Sequence, residues 1–86
     1  MKGGIIIEIK IIGSNCSNGM KLKKEVMRAI DDIGFPISCI ELNDEKSKKR
    51  YGIKNVPALV ISDAIKSQGC VLTSREISKL ILAATA

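Results

Sequence analysis

The sequence predicts an α/β fold in which a four-stranded mixed sheet is flanked by three helices, in the order βαβαββα. Runs of β-branched residues alternate with helix-period stretches, which is typical of βαβ units. A strand–helix–strand start implies a right-handed crossover between parallel strands, and a close strand pair later in the chain implies an antiparallel hairpin. Branched aliphatics supply nearly all of the hydrophobic residues, and 86 residues suffice for one domain spanning 1–86.

The first half of the chain predicts strand, helix and strand. Residues 4–12 form a β-branched run interrupted only by Glu8 and Lys10. A helix begins near Asn18 and ends at Gly34, with Pro36 preventing its continuation. Residues 37–42 are apolar on both faces apart from two positions, which indicates a central, parallel strand. The apolar stripe of the helix is expected to comprise Leu22, Val26, Met27, Ile30 and Ile33.

The second half predicts a short polar helix, two strands and a final helix. The polar helix covers residues 43–52 and lies loosely on the surface, with Tyr51 and Ile53 as its apolar anchors. A strand at 56–61 is opened by a proline, residues 62–64 turn, and a weaker strand returns over 65–70. Thr73 and Glu76 form a capping box. The last helix turns one apolar side inward, formed by Ile77, Leu80, Ile81 and Ala84.

Composition excludes several classes of function. The chain has no histidine, which removes Ser-His-Asp and Cys-His catalysis, and the cysteine spacings match no zinc pattern, so we expect no metal and no cofactor. The net charge of +5 is spread over two helical stretches without aromatic platforms, which argues against nucleic-acid binding. No apolar stretch is long enough for a signal peptide or membrane span, so we expect a cytoplasmic protein, as a monomer or weak homodimer.

Three motifs resemble the thioredoxin superfamily, and most closely its small archaeal and bacterial redox-active disulfide proteins. The first is the loop Gly13-Ser14-Asn15-Cys16 between the first strand and the first helix. The second is the stretch from Tyr51 to Ile61 that contains Val56-Pro57, and the third is Gly69 before the last helix. The resemblance covers nearly the whole chain. It implies that Pro57 is cis and that Val56, Pro57 and Gly69 bind the substrate chain opposite the nucleophile.

One departure from that family concerns the second active-site cysteine. The family carries Cys-x-x-Cys, whereas the loop here reads Cys16-Ser17-Asn18-Gly19, so no second thiol is available at the fourth position to resolve a mixed disulfide. Cys16 itself stands at a helix N-terminus, where free N–H groups and the helix dipole stabilise a thiolate. We therefore expect Cys16 to be the nucleophile of a monothiol exchange reaction.

The other two cysteines receive different interpretations. Cys70 follows Gly69 and is a candidate displaced resolving cysteine, although a buried core thiol is the simpler interpretation. Cys39 lies within the second strand and is interpreted as part of the core.

Two functions remain open on the sequence, with a structural or regulatory subunit as a third class. In the first, Cys16 exchanges disulfides with protein or small-molecule thiols, and an external thiol resolves the intermediate. In the second, the protein is a redox-inactive binding module that docks a protein partner at the groove between Cys16 and Pro57.

Overall fold

The computed structural model describes residues 7–34 and 37–85. Its element order is β1 (Ile7–Ile12), α1 (Ser17–Ile33), β2 (Ile37–Leu42), α2 (Glu45–Tyr51), β3 (Ala58–Ile61), β4 (Ala64–Gln68) and α3 (Ser74–Thr85). The predicted order of four strands and three helices is confirmed. Residues 4–6 of the expected first strand, and Pro36, lie outside the described residues.

The four strands form one mixed sheet in the order β2-β1-β3-β4. β1 runs parallel to β2, with Ile7 opposite Ile37, and antiparallel to β3, with Ile12 opposite Ala58. β3 and β4 form the expected antiparallel hairpin, whose register shifts between Leu59 and Val60. The C-terminal ends of the two parallel strands therefore lie side by side, at the edge of the sheet where the loop after β1 begins.

The helices cover the two faces of the sheet unequally. α1 and α3 pack against one face, over a core of aliphatic side chains from β1 and β3 that includes Ile9, Ile11 and Ile61. α2 has no buried residue, but Tyr51 and Ile53 pack with Leu42 against a smaller cluster on the opposite face, formed by Ile12, Ala58 and Val60. The capping box of α3 is confirmed, since Glu76 N–H donates to Thr73 Oγ1 at 3.2 Å.

Two expectations about the core are wrong. β2 is an edge strand of the described sheet, because β3 occupies the other side of β1. Its apolar residues divide between the two faces, with Ile40 36% exposed. Met27 is 50% exposed, because a residue that follows Val26 is turned by about 100° around the helix axis. Ala29 takes the buried position instead, in line with Leu22 and Val26.

Several element boundaries also differ from expectation. β3 begins after the proline rather than with it, β4 already includes Ala64, and neither Gly69 nor Cys70 belongs to that strand. Ala84 is exposed, whereas Ile77 and Ile81 are fully buried. Gly34 ends α1 as expected, with φ of 76° and its N–H donating to Ile30 O at 3.0 Å.

Candidate functional site

Cys16 is the N-cap residue of α1. Its backbone is extended, with φ of −91°, and its Sγ accepts a hydrogen bond from Gly19 N–H at 3.3 Å. The thiol in turn donates to the carbonyl oxygen of Gly13, also at 3.3 Å. The residue as a whole is half-buried, and its sulfur is anchored by the helix end. Deprotonation would remove the bond to Gly13 and strengthen the one from Gly19 N–H.

Gly19 is buried tightly against the loop that precedes α1. A Cβ atom at this position would overlap the carbonyl oxygen of Gly13 and lie 2.6 Å from Ser14 Cα. Both obstacles are backbone atoms, which cannot move aside as a flexible side chain can. The loop therefore closes tightly around Gly19, which has no side chain. Gly19 occupies the position at which the family resembled by this sequence carries its second cysteine.

The predicted substrate-binding residues are assembled through Gly13 and Gly69. The Val56–Pro57 peptide bond is cis. Val56 is 40% exposed and packs directly on Gly13, where an added Cβ would lie 2.6 Å from Val56 Cβ. Gly69 N–H donates to Pro57 O at 2.8 Å. Because Gly13 also accepts from the Cys16 thiol, one continuous chain of contacts joins Cys16, Gly13, Val56, Pro57 and Gly69.

Sequence reasoning missed Gln68, which holds the segment before the proline. Its Oε1 accepts from Lys54 N–H at 2.9 Å and lies 3.5 Å from Asn55 N, whose N–H also points to it. The last residue of β4 thus fixes the approach to Val56 while the next residue, Gly69, binds Pro57. A polar residue directly before that glycine was the only available signal in the sequence.

Sequence reasoning also missed Glu41 and Asn43, which contact the predicted loop residue Ser14. Ser14 is 3% exposed, and its Oγ donates to Glu41 Oε1 at 2.8 Å and accepts from Asn43 Nδ2 at 3.4 Å. Glu41 Oε2 is paired with Lys23 Nζ at 2.7 Å. The bond from Lys23, followed by the one from Ser14, holds the pKa of Glu41 below its usual range. The parallel pairing of β1 and β2 could have predicted that Ser14 lies near Glu41, because parallel pairing places the C-terminal ends of the two strands side by side.

The remaining loop residues have simpler surroundings. Asn15 N–H donates to Asn43 Oδ1 at 3.1 Å, which ties the loop to the end of β2. Asn15 is exposed, as are Ser17 and Asn18 in the first turn of α1.

The three cysteines are all free thiols. Cys70 is exposed, so its interpretation as a buried core thiol is wrong, because β4 ends before it. No disulfide or hydrogen bond joins it to Cys16 within the described residues. Cys39 is half-buried against the main core, and burial raises the pKa of its thiol.

A polar cluster lies on the sheet face that α2 covers. Lys10 Nζ donates to Tyr51 Oη at 2.7 Å and contacts the carboxylates of Asp63 at 3.3 Å and Glu8 at 3.1 Å. Tyr51 Oη donates to Asp63 Oδ1 at 3.1 Å. The bond to Tyr51 is the largest cause that raises the pKa of Lys10, and the bond from Tyr51 likewise lowers the pKa of Asp63. The cluster neutralises a cation on the central strand.

No group of three or more cysteine, aspartate or glutamate side chains within residues 7–34 and 37–85 could hold a metal ion. In the same residues, no helix combines the length and the apolar character that crossing a membrane requires.

Comparison with known proteins agrees with this geometry. A family model described as a thioredoxin domain matches residues 7–82. A thioredoxin from Methanothermobacter thermautotrophicus is 24% identical over 76 residues, which cover 88% of this chain and 99% of that protein.

Two solved structures share the fold. One is the structure of a malarial protein, with a TM-score of 0.75 at 11% identity. The match covers 95% of this chain and 100% of the malarial chain. The other, thioredoxin-2 of the malaria parasite, described as a component of its protein secretion machinery, has a TM-score of 0.69 at 15% identity over 96% of this chain and 85% of its own. Since the family model spans nearly every residue that the structure describes, the chain belongs to the thioredoxin domain family.

Proposed function

We propose that this protein catalyses monothiol thiol–disulfide exchange through Cys16. The observation that carries the proposal is the hydrogen bond from Gly19 N–H to Cys16 Sγ, which directs a helix N-terminus at the sulfur of a half-buried residue. Such a donor stabilises the negative charge that sulfur carries in the reactive form. The likeness to a curated thioredoxin supports the same class of chemistry.

The proposed reaction has two exchange steps. The Cys16 thiolate attacks one sulfur of a substrate disulfide, so that a mixed disulfide with Cys16 forms and the other substrate sulfur leaves as a thiolate that takes up a proton. An external thiol then loses its proton and attacks the substrate sulfur of the mixed disulfide. The products are a disulfide between that thiol and the substrate, and the regenerated Cys16 thiolate. An external thiol is proposed for this step because position 19 is glycine, so the loop itself supplies no second thiol.

The remaining site residues would hold the substrate chain. Val56 presents an exposed side chain beside the loop, and Pro57 and Gly69 are fixed to each other through their backbone. The proposed substrates are protein disulfides and small disulfides. Cys70 is exposed and stays a candidate resolving thiol, which the same experiment examines.

The test uses intact-mass measurement of single-thiol proteins. The Cys39→Ser/Cys70→Ser variant is incubated with glutathione disulfide, and we expect one glutathione adduct, on Cys16, that an added thiol removes completely. The matched single-thiol protein Cys16→Ser/Cys39→Ser, which keeps only the exposed Cys70, should form the adduct much more slowly under the same brief exposure. Equal labelling of the two variants would contradict the proposal. A Cys16–Cys70 disulfide in the wild-type protein would replace the external thiol by Cys70.

The second candidate is a redox-inactive module that docks a partner at the groove between Cys16 and Pro57. The exposed Val56 and the absence of a second cysteine from the loop favour it. Under this alternative, Cys16→Ser retains partner binding and the Cys39→Ser/Cys70→Ser variant gives no adduct with glutathione disulfide.

A further inference from the structure

A groove that meets the Cys16 loop only at Ser14 runs beside the N-terminal half of α1. It has a volume of about 500 Å³ and is lined by Ser14, Met20, Lys23, Lys24, Met27, Arg28 and Glu41. Glu41 belongs to β2, which is an edge strand of the described sheet. None of Cys16, Val56, Pro57 or Gly69 lines it.

The apolar part of the groove consists of two methionines on one helix face. Met20 and Met27 are 58% and 50% exposed, and a spacing of seven residues places them on the same side of α1, two turns apart. Methionine side chains are flexible and polarisable, so they adapt to apolar side chains of different shapes. Two such residues exposed in one groove indicate contact with an apolar side chain of a partner.

The charged part of the groove is predominantly basic. Lys23 is already neutralised by Glu41 at 2.7 Å. Arg28 has only a long contact of 3.8 Å with Glu25, and within the described residues Lys24 has no ion pair. Lys24 and Arg28 lie four residues apart and are therefore neighbours on the helix surface, between and beside the methionines. The groove thus offers two cations to a ligand that also has an apolar group.

We infer that this groove binds an acidic segment of a partner protein, with an apolar side chain against Met20 and Met27 and carboxylates at Lys24 and Arg28. The groove lining contains no aromatic residue on which bases could stack, so a nucleic acid fits poorly. A second copy also fits poorly, because each chain carries a net charge of +5 and like charges oppose association.

The position of the groove connects it to the thiol. Met20 follows Cys16 by one helical turn, and Met20 N–H donates to Cys16 O at 2.9 Å. A segment lying in the groove would bring its flanking residues to the N-terminus of α1. The identification of this segment as part of the exchange substrate rests on the proposed function. The docking of the segment in the groove does not require thiol chemistry.

The experiment uses three fluorescein-labelled peptides and the full chain. The first peptide carries several glutamates around two leucines, the second has lysines in place of the glutamates, and the third has serines in place of the leucines. We expect the first to bind most tightly by fluorescence anisotropy and to shift the ¹³C-methyl signals of Met20 and Met27. Equal binding of the first two peptides, or shifts confined to other residues, would overturn the inference.

Variants test the contacts and separate the two proposals. Lys24→Glu/Arg28→Glu should weaken binding of the first peptide roughly tenfold, because two exposed attractions become repulsions. The matched control Lys46→Glu/Lys49→Glu, which makes the same change in net charge on α2, should change it by less than about twofold. Cys16→Ser should bind as the wild type does, so that docking and exchange fail independently. Unchanged binding by the double variant, equal methyl shifts with a thymidine oligonucleotide, or methyl shifts from self-association alone would each contradict the inference.

Discussion

Gly19 and Ser14 are in backbone contact: a Cβ atom on Gly19 would lie 2.6 Å from Ser14 Cα and would overlap the carbonyl oxygen of Gly13. The cysteine loop is thereby folded onto the first turn of α1. This contact explains how the loop stays closed without a disulfide, and it makes position 19 the place where the site differs most from a Cys-x-x-Cys protein.

The first prediction concerns Gly19→Ala. Helix propensity alone would stabilise the variant by up to about 1 kcal/mol. The backbone contact predicts the opposite sign, a loss of about 1–3 kcal/mol from overpacking. Urea unfolding measures the difference. The neighbouring exposed position provides the control, since Asn18→Ala should stay within about 0.5 kcal/mol of wild type or gain slightly. A Gly19→Ala protein as stable as Asn18→Ala would mean that the loop is not closed as described.

The second prediction concerns the pH dependence that Glu41 contributes. Lys23, and after it Ser14, lower the folded-state pKa of Glu41 below its ordinary value of 4.5. The stabilisation of the folded state by ionised Glu41 is therefore complete above pH 4.5, and it is lost as the pH falls through the lower folded-state pKa of Glu41. Wild type should be more stable than Glu41→Gln at neutral pH, and the difference should close in acid. Urea midpoints across a pH series measure it.

Lys23→Met serves as the matched variant for that series. It removes the largest cause of the lowered pKa while leaving the bond from Ser14 in place. The acid-dependent part of the stability difference should therefore shrink in this background. A difference between wild type and Glu41→Gln that stays constant with pH would contradict the assignment.

The third prediction concerns Tyr51→Phe. The Tyr51 hydroxyl donates to Asp63 and accepts from Lys10, so its removal should raise the pKa of Asp63 toward its usual value and lower that of Lys10. An NMR titration of the Asp63 carboxyl carbon measures the first shift. Arg50→Gln is the control, because Arg50 is the smallest cause of the lowered Asp63 pKa and should change it less. A larger shift in Arg50→Gln than in Tyr51→Phe would refute the hydrogen-bond explanation.

The sequence predicted the element order because each element has a local signal. Gly34 adopts a left-handed backbone, as a helix-ending glycine does, and Thr73 and Glu76 form the expected capping box. The edge position of β2 could not be read in the same way, because its apolar residues pack on two different clusters and imitate a strand buried on both faces. Met27 was wrongly assigned to the buried stripe of α1 because it is adjacent to Val26. The spacing of apolar residues in a single sequence does not distinguish the centre of a stripe of period 3.6 from its border.

The candidate site was predicted as a set of residues but not as a set of contacts. Spacing and motif indicated Cys16, Val56, Pro57 and Gly69, whereas the contact that joins them passes through Gly13, which lacks a side chain. The roles of Gln68 and Glu41 depend on which strands are neighbours, and that information is absent until the topology is known. Long-range polar contacts of this kind leave no local pattern in the sequence.

The central claim, that Cys16 alone carries the exchange chemistry, is tested most directly by the rate at which the protein accelerates reduction of a protein disulfide by an excess of a small thiol. The account predicts that the Cys39→Ser/Cys70→Ser variant retains the wild-type rate and that Cys16→Ser falls to the rate of the small thiol alone. Acceleration that survives in Cys16→Ser, or that is absent from the wild-type protein, would contradict it.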